Sequence, residues 1–227
     1  MSLTPYMPDD VVGLVNKCPI HSHICAFYNS DYERNMIVSH FLFVGLIKRG
    51  KVIYIDTDEN NNKIKKALKK LSVDVESATA SGQLSILGRK QGYLEQGQFD
   101  GSHRIEKWKQ ATDQAIKENY TGLRASGDVP CQDESGEILD KITQYEVELN
   151  NFFPENKALA LCMYNRSLYP EETLSEILFA HPLVMIDKTI CDNPLFVSPV
   201  SPSLEAGQKL DTLLEQVWDH NQKEANN

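Results

Sequence analysis

The sequence predicts a three-layer α/β protein, in which a mainly parallel sheet carries helices on both faces. Short runs rich in β-branched and aromatic residues, such as residues 23–28 and 51–56, alternate with longer amphipathic segments such as residues 32–48. Several strand candidates are apolar at nearly every position, and residues 159–164 are the clearest case. Strands of that kind are buried on both faces, and strands that alternate with helices pair in parallel through right-handed crossovers.

The order of the elements follows from the turn and capping residues between these runs. Asn29, Ser30 and Asp31 are good helix N-caps after the first strand, and Gly50 is expected to end the first long helix. The predicted strands are residues 23–28, 51–56, 84–87, 123–129, 159–164 and 183–186. The predicted helices are residues 9–17, 32–48, 61–71, 105–119, 138–152, 171–180 and 204–220.

The chain is expected to form one domain with a C-terminal helix. Its 227 residues suit one large domain. The Ser-Pro-Val-Ser-Pro-Ser segment at residues 198–203 is the one weak boundary. We therefore assign residues 1–198 to the domain, with its core at residues 20–190, and residues 199–227 to an amphipathic helix and tail.

Composition and charge exclude several classes of protein. Hydrophobic residues make up 41% and charged residues 24% of the chain, which is ordinary for a globular protein and too apolar for a disordered one. A net charge of −9 argues against direct binding of nucleic acid. No apolar run approaches the ~20 residues of a membrane span, and no secretion signal opens the chain. Five scattered cysteines indicate reduced thiols, so we expect a cytoplasmic protein that does not bind membranes.

The loop after the first strand does not have the composition of a phosphate-binding loop. In nucleotide hydrolases with this kind of sheet, that loop is rich in glycine and ends in Lys-Ser or Lys-Thr, because backbone amides wrap the phosphates. Here residues 28–34 are Tyr-Asn-Ser-Asp-Tyr-Glu-Arg, with no glycine, no lysine and two carboxylates. A second stretch, residues 45–52, nearly fits the spacing, but it is predicted to run from a helix into a strand, which is the wrong direction. A triphosphate grip is therefore not expected.

Residues 18–25 contain side chains that can bind zinc, namely Cys18, His21, His23 and Cys25. A structural zinc site commonly draws its ligands from two separated pairs, and no second Cys-x-x-Cys pair follows in the sequence. A histidine at the start of a strand and a buried cysteine explain the same residues. We therefore predict no metal and no cofactor.

The ligand site is predicted at the carboxyl ends of the strands, where ligands bind in open parallel sheets. The side chains expected to line it are His23, Tyr28, Asn29, Asp58, Asp128, Tyr164 and Arg166.

Three of these residues have alternative roles. Asp58, directly after the second strand, can activate water in a hydrolase or cap the following helix, and capping is the favoured role. Asp128 can bind magnesium in an intact ATPase or bond the amides of a loop. Arg166 can hold an anion or pair with Asp128.

The succession of motifs along the chain resembles one known family. Residues 23–28, followed by Gly45-Leu46 and residues 50–55, resemble the opening of the MEDS domain, the sensory domain of methanogens and methylotrophs that is named partly for the dichloromethane-responsive regulator DcmR. Later motifs resemble the same family in the same order: Gly82-Gln83-Leu84, Tyr93 with Gly97 and Phe99-Asp100, Gly127-Asp128, Tyr145-Glu146, residues 162–166 and His181-Pro182. The resemblance covers roughly residues 20–190.

The resemblance implies a RecA- and KaiC-like fold, derived from the phosphate-loop NTPases, that has lost its Walker A motif. It also implies a sensory module for small organic compounds, often joined to a histidine kinase or a DNA-binding regulator, and it supplies no catalytic residue. We therefore predict a non-enzymatic sensor that binds a small organic ligand or a signalling protein and responds by a population shift. Its output is expected to pass through a partner or a second copy of the chain. A weak nucleotide hydrolase and an oligomeric interaction scaffold are the alternatives.

Overall fold

The apolar runs of the sequence form the strands of one sheet. The structure, a computed structural model, describes residues 18–132, 137–186, 189–197 and 209–225. The strands are β1 (His23–Tyr28), β2 (Lys51–Asp56), β3 (Leu84–Gly88), β4 (Leu123–Asp128), β5 (Ala158–Asn165), β6 (Leu183–Ile186) and β7 (Thr189–Asp192). The helices are α1 (Asp31–Ile47), α2 (Asp58–Lys70), α3 (Val75–Ala80), α4 (Arg89–Gly92), α5 (Gly101–Lys117), α6 (Ile138–Phe152), α7 (Glu171–Phe179) and α8 (Leu210–Ala225), and short 3-10 turns span Glu95–Gly97 and Phe153–Glu155.

The sheet topology confirms the predicted α/β class. Within the described residues, seven strands pair in the order β3–β2–β4–β5–β1–β6–β7. Every pairing is parallel except the antiparallel pair of β6 and β7. The carboxyl ends of β1 to β6 therefore lie along one edge of the sheet, which we call the carboxyl edge.

Alternate residues of each strand pack into two separate cores. In β1, Ile24, Ala26 and Tyr28 point to the face covered by α1 and α2, which we call the α1 face. Cys25 and Phe27 point to the opposite face, which α5, α6 and α7 cover and which we call the α6 face. Neighbouring residues of one strand can therefore belong to two different sites.

The last helix packs against the domain on the α6 face. Leu210, Leu213 and Val217 of α8 are buried in the core of that face. The side chain of Asn221 accepts from the backbone N–H of Asp192 at 3.0 Å and donates to its C=O at 2.8 Å, so it also holds the end of β7. Across the part of the chain that is described, no helix is long and apolar enough to span a membrane.

Every predicted strand is present, and β1, β2 and β6 have the predicted bounds. The helices α2 and α5 begin earlier than predicted, because Thr57 and Asp100 provide their N-caps. The helices α3 and α4, the strand β7 and the two 3-10 turns were not predicted. The helix predicted at residues 9–17 and the boundary at residues 198–203 lie outside the described residues, and α8 extends to Ala225 rather than ending at residue 220.

The stretch at residues 45–52 runs from α1 into β2, as predicted, which excludes it as a phosphate loop. The turn itself differs from the expectation, because Arg49 rather than Gly50 has the left-handed backbone, with φ of 58°. Gly50 donates its N–H to the carbonyl of Gly45 at 2.9 Å, which closes the end of α1. Arg49 thus takes the conformation for which helix ends usually use glycine.

Candidate functional site

The loop between β1 and α1 is closed by its own side chains. Ser30 is the N-cap of α1, and its hydroxyl accepts the N–H of Glu33 at 3.3 Å. The Glu33 carboxylate in turn accepts the N–H of Asn29 at 2.9 Å. Free N–H groups at the start of a helix are what an anion would bind, and here two of these groups are already taken by the chain.

Arg34 turns inward from the first turn of α1 and lies beneath this loop. Its side chain is 3% exposed, and its guanidinium donates to the side-chain Oδ1 atom of Asn60 at 2.8 Å. The same guanidinium lies 3.9 Å from a carboxylate oxygen of Asp56 and 3.9 Å from one of Asp128. It therefore places a positive charge at the carboxyl edge, between the ends of β2 and β4.

Arg89, the first residue of α4, reaches the same two carboxylates from the end of β3. Its Nη2 lies 2.9 Å from Asp128 Oδ1 and 3.3 Å from Asp56 Oδ1. Arg34, Asp56, Arg89 and Asp128 therefore form a group of two cations and two anions, which we call the strand-end ion cluster.

Tyrosine hydroxyls and a backbone amide satisfy the carboxylates of the strand-end ion cluster. Tyr28 donates its hydroxyl to Asp128 Oδ2, and Tyr54 donates to Asp56 Oδ2 at 2.8 Å. The N–H of Thr57 donates to Asp56 Oδ1 at 2.6 Å. Both carboxylates thus have several partners, as buried charges require.

Burial and the neighbouring charge of Asp56 raise the pKa of Asp128 to about 6, although Arg89 acts in the opposite direction. Burial and the Asp128 carboxylate likewise raise the pKa of Tyr28, so its hydroxyl keeps the proton that it donates. The strand-end ion cluster is thus a balanced group that fills the carboxyl edge on the α1 face.

A second polar cluster lies inside the opposite face of the sheet. It consists of His23 at the start of β1, Glu146 in α6, Cys162 in β5 and His181 between α7 and β6, all buried. We call it the His–Glu–Cys cluster. The four donor atoms lie within 4.8 Å of one another. Tyr164 donates its hydroxyl to Glu146 Oε1, on the side away from the histidines.

The electrostatics of the His–Glu–Cys cluster depend on its complete burial. Burial by itself would raise the pKa of Glu146, but the imidazoles of His181 and His23 hold it well below its ordinary range. Burial, with the help of His181, lowers the pKa of His23. Burial and the nearby Glu146 carboxylate raise the pKa of the Cys162 thiol.

A small cavity opens at the carboxyl edge between the ends of β1 and β6. Its volume is about 200 Å³. Polar atoms come from Asn29, Glu33 and Arg166. The apolar part of the lining consists of Phe27, Met36, Ile37, Met185, Ile186 and Leu214. Because Leu214 belongs to α8, the cavity joins the carboxyl edge to the C-terminal helix.

A larger groove of about 510 Å³ runs beside α5 and α6. Its lining is dominated by charged and amide side chains such as Glu95, Lys141, Gln144 and Glu148. Such a groove offers a small organic molecule little apolar contact. We therefore take the smaller cavity at the carboxyl edge, which we call the strand-end cavity, as the candidate ligand site.

The structure distributes the seven predicted site residues over four places. Tyr28 and Asp128 meet in the strand-end ion cluster, and Asn29 and Arg166 line the strand-end cavity. The other three residues lie outside both, because His23 belongs to the His–Glu–Cys cluster, Tyr164 donates a hydrogen bond to Glu146 of that cluster, and Asp58 is exposed.

Two of the alternative roles are settled by contacts. The N-cap of α2 is Thr57 and not Asp58, since the hydroxyl of Thr57 accepts the N–H of Asn60 at 3.3 Å. Arg166 does not pair with Asp128; its guanidinium lies 2.6 Å from Asp211 in α8.

The zinc ligands considered at residues 18–25 do not come together. The Nδ1 atom of His21 bonds the carbonyl of Phe153 at 2.9 Å, and Cys25 contacts the carbonyl of Leu183. Of that group, His23 alone belongs to the His–Glu–Cys cluster.

Six residues of the two clusters were not among the predicted site residues: Arg34, Asp56, Arg89, Glu146, Cys162 and His181. A sequence signal exists for two of them. Asp56 ends an otherwise apolar strand, and Glu146 occupies the apolar face of α6 between Ile142 and Leu149. A carboxylate in either position has to find a buried partner.

Comparison with known proteins identified one family and one fold. The sequence model of the family described as MEDS, the MEthanogen/methylotroph, DcmR Sensory domain, matches residues 22–182. Among solved structures, the flagellar accessory protein FlaH from Methanocaldococcus jannaschii is similar, with a TM-score of 0.52, 15% sequence identity and 90% of each chain covered. At this identity the likeness shows a shared fold and no more. A search of curated protein sequences gave no significant match.

Proposed function

The chain belongs to the MEDS family, and from this premise we propose that it is a non-enzymatic cytoplasmic sensory domain. Its ligand would be a small organic molecule bound in the strand-end cavity. The observation that carries this proposal is the closed carboxyl edge on the α1 face. A bound phosphate and its metal ion would need free backbone amides and free space at this edge. The Glu33 carboxylate already accepts the N–H of Asn29, and the strand-end ion cluster occupies the space.

The size and lining of the strand-end cavity support a small ligand that has an apolar part and a polar end. Its volume of about 200 Å³ is below the roughly 300–1,000 Å³ of pockets that hold drug-sized molecules. The walls are mainly aliphatic, sulfur-containing and aromatic, while Arg166 and Asn29 offer hydrogen-bond donors at one side. Short-chain alcohols and carboxylates have this combination of an apolar body and one polar end.

The same cavity supplies a physical route for the signal. Leu214 contributes part of its wall, and Arg166 pairs with Asp211 of the same helix. A ligand that binds one position of α8 more tightly than another shifts the population of the helix, whereas equal affinity shifts nothing. The shifted helix would then be read by a separate signalling protein, such as a histidine kinase or a transcription regulator, or by a second copy of the chain.

The first test measures the unfolding temperature of the full chain at increasing concentrations of butanol, butyrate and their shorter homologues. We expect at least one probe to raise the unfolding temperature in a concentration-dependent way, because a ligand of the native state stabilises it. Ile186→Trp, which fills the cavity, should abolish the shift. Ile116→Trp, at a residue of α5 that is 41% exposed, is the matched control and should retain it. A shift that survives in Ile186→Trp would place the ligand elsewhere.

The second test addresses the nucleotide hydrolase alternative. Titration calorimetry with ATP and Mg²⁺ is expected to give no measurable binding, because the strand-end ion cluster has no cation to spare for a phosphate. Binding in the micromolar range, together with ATP turnover that is lost in Asp128→Asn, would overturn the non-enzymatic assignment.

A further inference from the structure

We propose that His23, Glu146, Cys162 and His181 form a closed tetrahedral site for a zinc-class transition metal ion. This site lies on the α6 face, so the inference is independent of the strand-end cavity and its ligand. It rests on three observations: the distances between the donor atoms, the hydrogen bonds that orient them, and their burial.

Four of the six distances between donor atoms are close to the edges of a zinc tetrahedron, and all six are within 4.8 Å. Zinc binds imidazole nitrogen and carboxylate oxygen at about 2.0–2.1 Å and thiolate sulfur at about 2.3 Å, which gives edges of about 3.3 Å between N and O and about 3.6 Å to sulfur. Glu146 Oε2 lies 3.0 Å from His23 Nε2 and 3.3 Å from His181 Nε2. Cys162 Sγ lies 3.6 Å from Glu146 Oε2 and 3.7 Å from His23 Nε2.

Hydrogen bonds outside the cluster turn the Nε2 atom of each imidazole inward. His181 Nδ1 lies 2.6 Å from the carbonyl of Ile177, which can only accept, so this Nδ1 carries a proton. His23 Nδ1 lies 2.9 Å from the Asn150 Oδ1 atom. The amide group of Asn150 donates to the carbonyls of Glu146 and Ala180, which fixes Oδ1 as the acceptor toward the histidine.

The Nε2 atoms of both imidazoles therefore face the same carboxylate oxygen of Glu146. His181 Nε2 makes no hydrogen bond within the described part of the chain, although it is fully buried. Tyr164 satisfies the other carboxylate oxygen of Glu146 and leaves Oε2 facing the imidazoles. A shared proton would satisfy one of these pairs, whereas one metal ion satisfies all four donors. This is the pattern in which outer hydrogen bonds orient histidine ligands.

The donor set and the burial define the kind of metal and its role. Two imidazoles, one carboxylate and one thiolate suit tetrahedral Zn²⁺, and four protein ligands leave no open position for water or substrate. The exposed fractions of the four residues are between 0% and 8%, so substrate has no access. A metal bound here would join β1, β5, α6 and the segment before β6, and it would act on structure rather than on catalysis.

The experiment measures zinc in the full chain after incubation with zinc chloride and removal of unbound metal. We expect about one zinc per chain in the wild-type protein, and Cys162→Ser and His181→Asn to lose it. Cys191→Ser is the matched thiol control, at a buried cysteine outside the cluster. His40→Asn is the matched imidazole control, because His40 is buried and its Nδ1 bonds the carbonyl of Met36 at 2.7 Å, as His181 bonds Ile177.

Cobalt(II) reports directly on the ligands, because a thiolate ligand adds a sulfur-to-cobalt charge-transfer absorption. The wild-type protein and Cys191→Ser should show this absorption, and Cys162→Ser should lack it. Asn150→Ala keeps all four ligands but removes the partner of His23 Nδ1, so it should weaken zinc binding by about 10- to 100-fold. If a ligand variant does not fold, the wild-type cobalt spectrum and the Asn150→Ala affinity decide the question.

Two results would overturn the proposal. One is a wild-type chain that takes up no zinc after incubation and shows no cobalt charge-transfer absorption. The other is a Cys162→Ser chain that keeps the wild-type zinc content and cobalt spectrum.

Discussion

Arg34 and Arg89 bring two positive charges to the carboxyl edge of the sheet, and Asp56 and Asp128 bring two negative ones. Removing such charges from water is costly, and the cost is offset only where hydrogen bonds and opposite charges surround each group. Tyr28 supplies part of that environment. The consequence is asymmetric: the complete cluster is stable, whereas the loss of one arginine would leave a carboxylate without enough compensation.

The raised pKa of Asp128 predicts a specific dependence of stability on pH. The folded carboxyl has a pKa of about 6, against an ordinary value of 3.8. Between these two values the unfolded chain has released this proton and the folded chain still holds it, so stability falls as the pH rises through the interval. The fall amounts to about 3 kcal/mol, since one pKa unit corresponds to about 1.4 kcal/mol.

Urea unfolding of the wild-type chain and of Asp128→Asn, at a series of pH values, measures this contribution. The stability of the wild-type chain relative to the variant should decrease from about pH 4 to about pH 6 and then level off. Asp58→Asn removes an exposed carboxyl from the same edge and serves as the control. If the stability of the wild-type chain relative to Asp128→Asn instead increased over that interval, the arginines, and not burial, would determine the direction of the pKa shift of Asp128.

The sequence predicted individual site residues better than their grouping. Tyr28 and Asp128 were placed at one site because both end strands, and they do form a hydrogen bond. His23 and Tyr28 were placed at one site at the carboxyl ends of the strands, but they are the first and last residues of β1, and side chains at odd and even positions of a strand face opposite sides of the sheet. Arg89 could not be assigned to Asp128, because that contact depends on β3 and β4 both lying beside β2.

At the scale of elements, the periodicity of apolar residues was sufficient to predict the bounds of an element wherever that element buries a long face. The strands β1 and β2 and the helix α6 have the predicted bounds for this reason. The short helix α3 buries a single residue, Val75, and therefore has no periodic pattern. The strand β7 has four residues and pairs only with β6, so its existence depends on a neighbour rather than on its own sequence.

The packing of α8 predicts that this helix contributes to the stability of the domain. Leu213 is 2% exposed and belongs to the core of the α6 face. We expect Leu213→Ala to lower the free energy of unfolding by about 2–5 kcal/mol, because it removes buried methyl groups and leaves a cavity. The measurement is urea unfolding followed by far-UV circular dichroism.

Leu168→Ala is the control for this measurement, because Leu168 is 50% exposed and its truncation should cost no more than about 0.5 kcal/mol. If Leu213→Ala has an equally small effect, α8 is an independent appendage, and the boundary predicted at residues 198–203 separates two units.

At the scale of the whole molecule, one sheet carries two polar sites with different chemistry on its two faces. Parallel pairing aligns the strand ends, so the strand-end ion cluster and the strand-end cavity share the carboxyl edge. The His–Glu–Cys cluster uses the start of β1 and the middle of β5 on the other face. The likeness to FlaH, at 15% identity, concerns the fold alone, and both sites are formed by the side chains of this chain.

The connection between the strand-end cavity and α8 predicts how a local change spreads through the molecule. Arg166 follows β5, lines the cavity and reaches Asp211 in the first turn of α8. Because Asp211 is 70% exposed, the ion pair is worth no more than about 1 kcal/mol, and breaking it should shift the position of α8 without unfolding the domain.

Hydrogen exchange of the backbone amides distinguishes this effect from general destabilisation. Arg166→Gln and Asp211→Asn should each increase exchange in α8 and leave exchange in β1, β4 and β5 unchanged, because local opening requires less free energy than global unfolding. The double variant should add little to either single one, since both remove the same contact. Butanol or butyrate, if bound in the strand-end cavity, should lower exchange in α8 of the wild-type chain and have a weaker effect in Arg166→Gln. Equal protection in both chains would show that the ion pair does not carry the signal and that the apolar contact through Leu214 does.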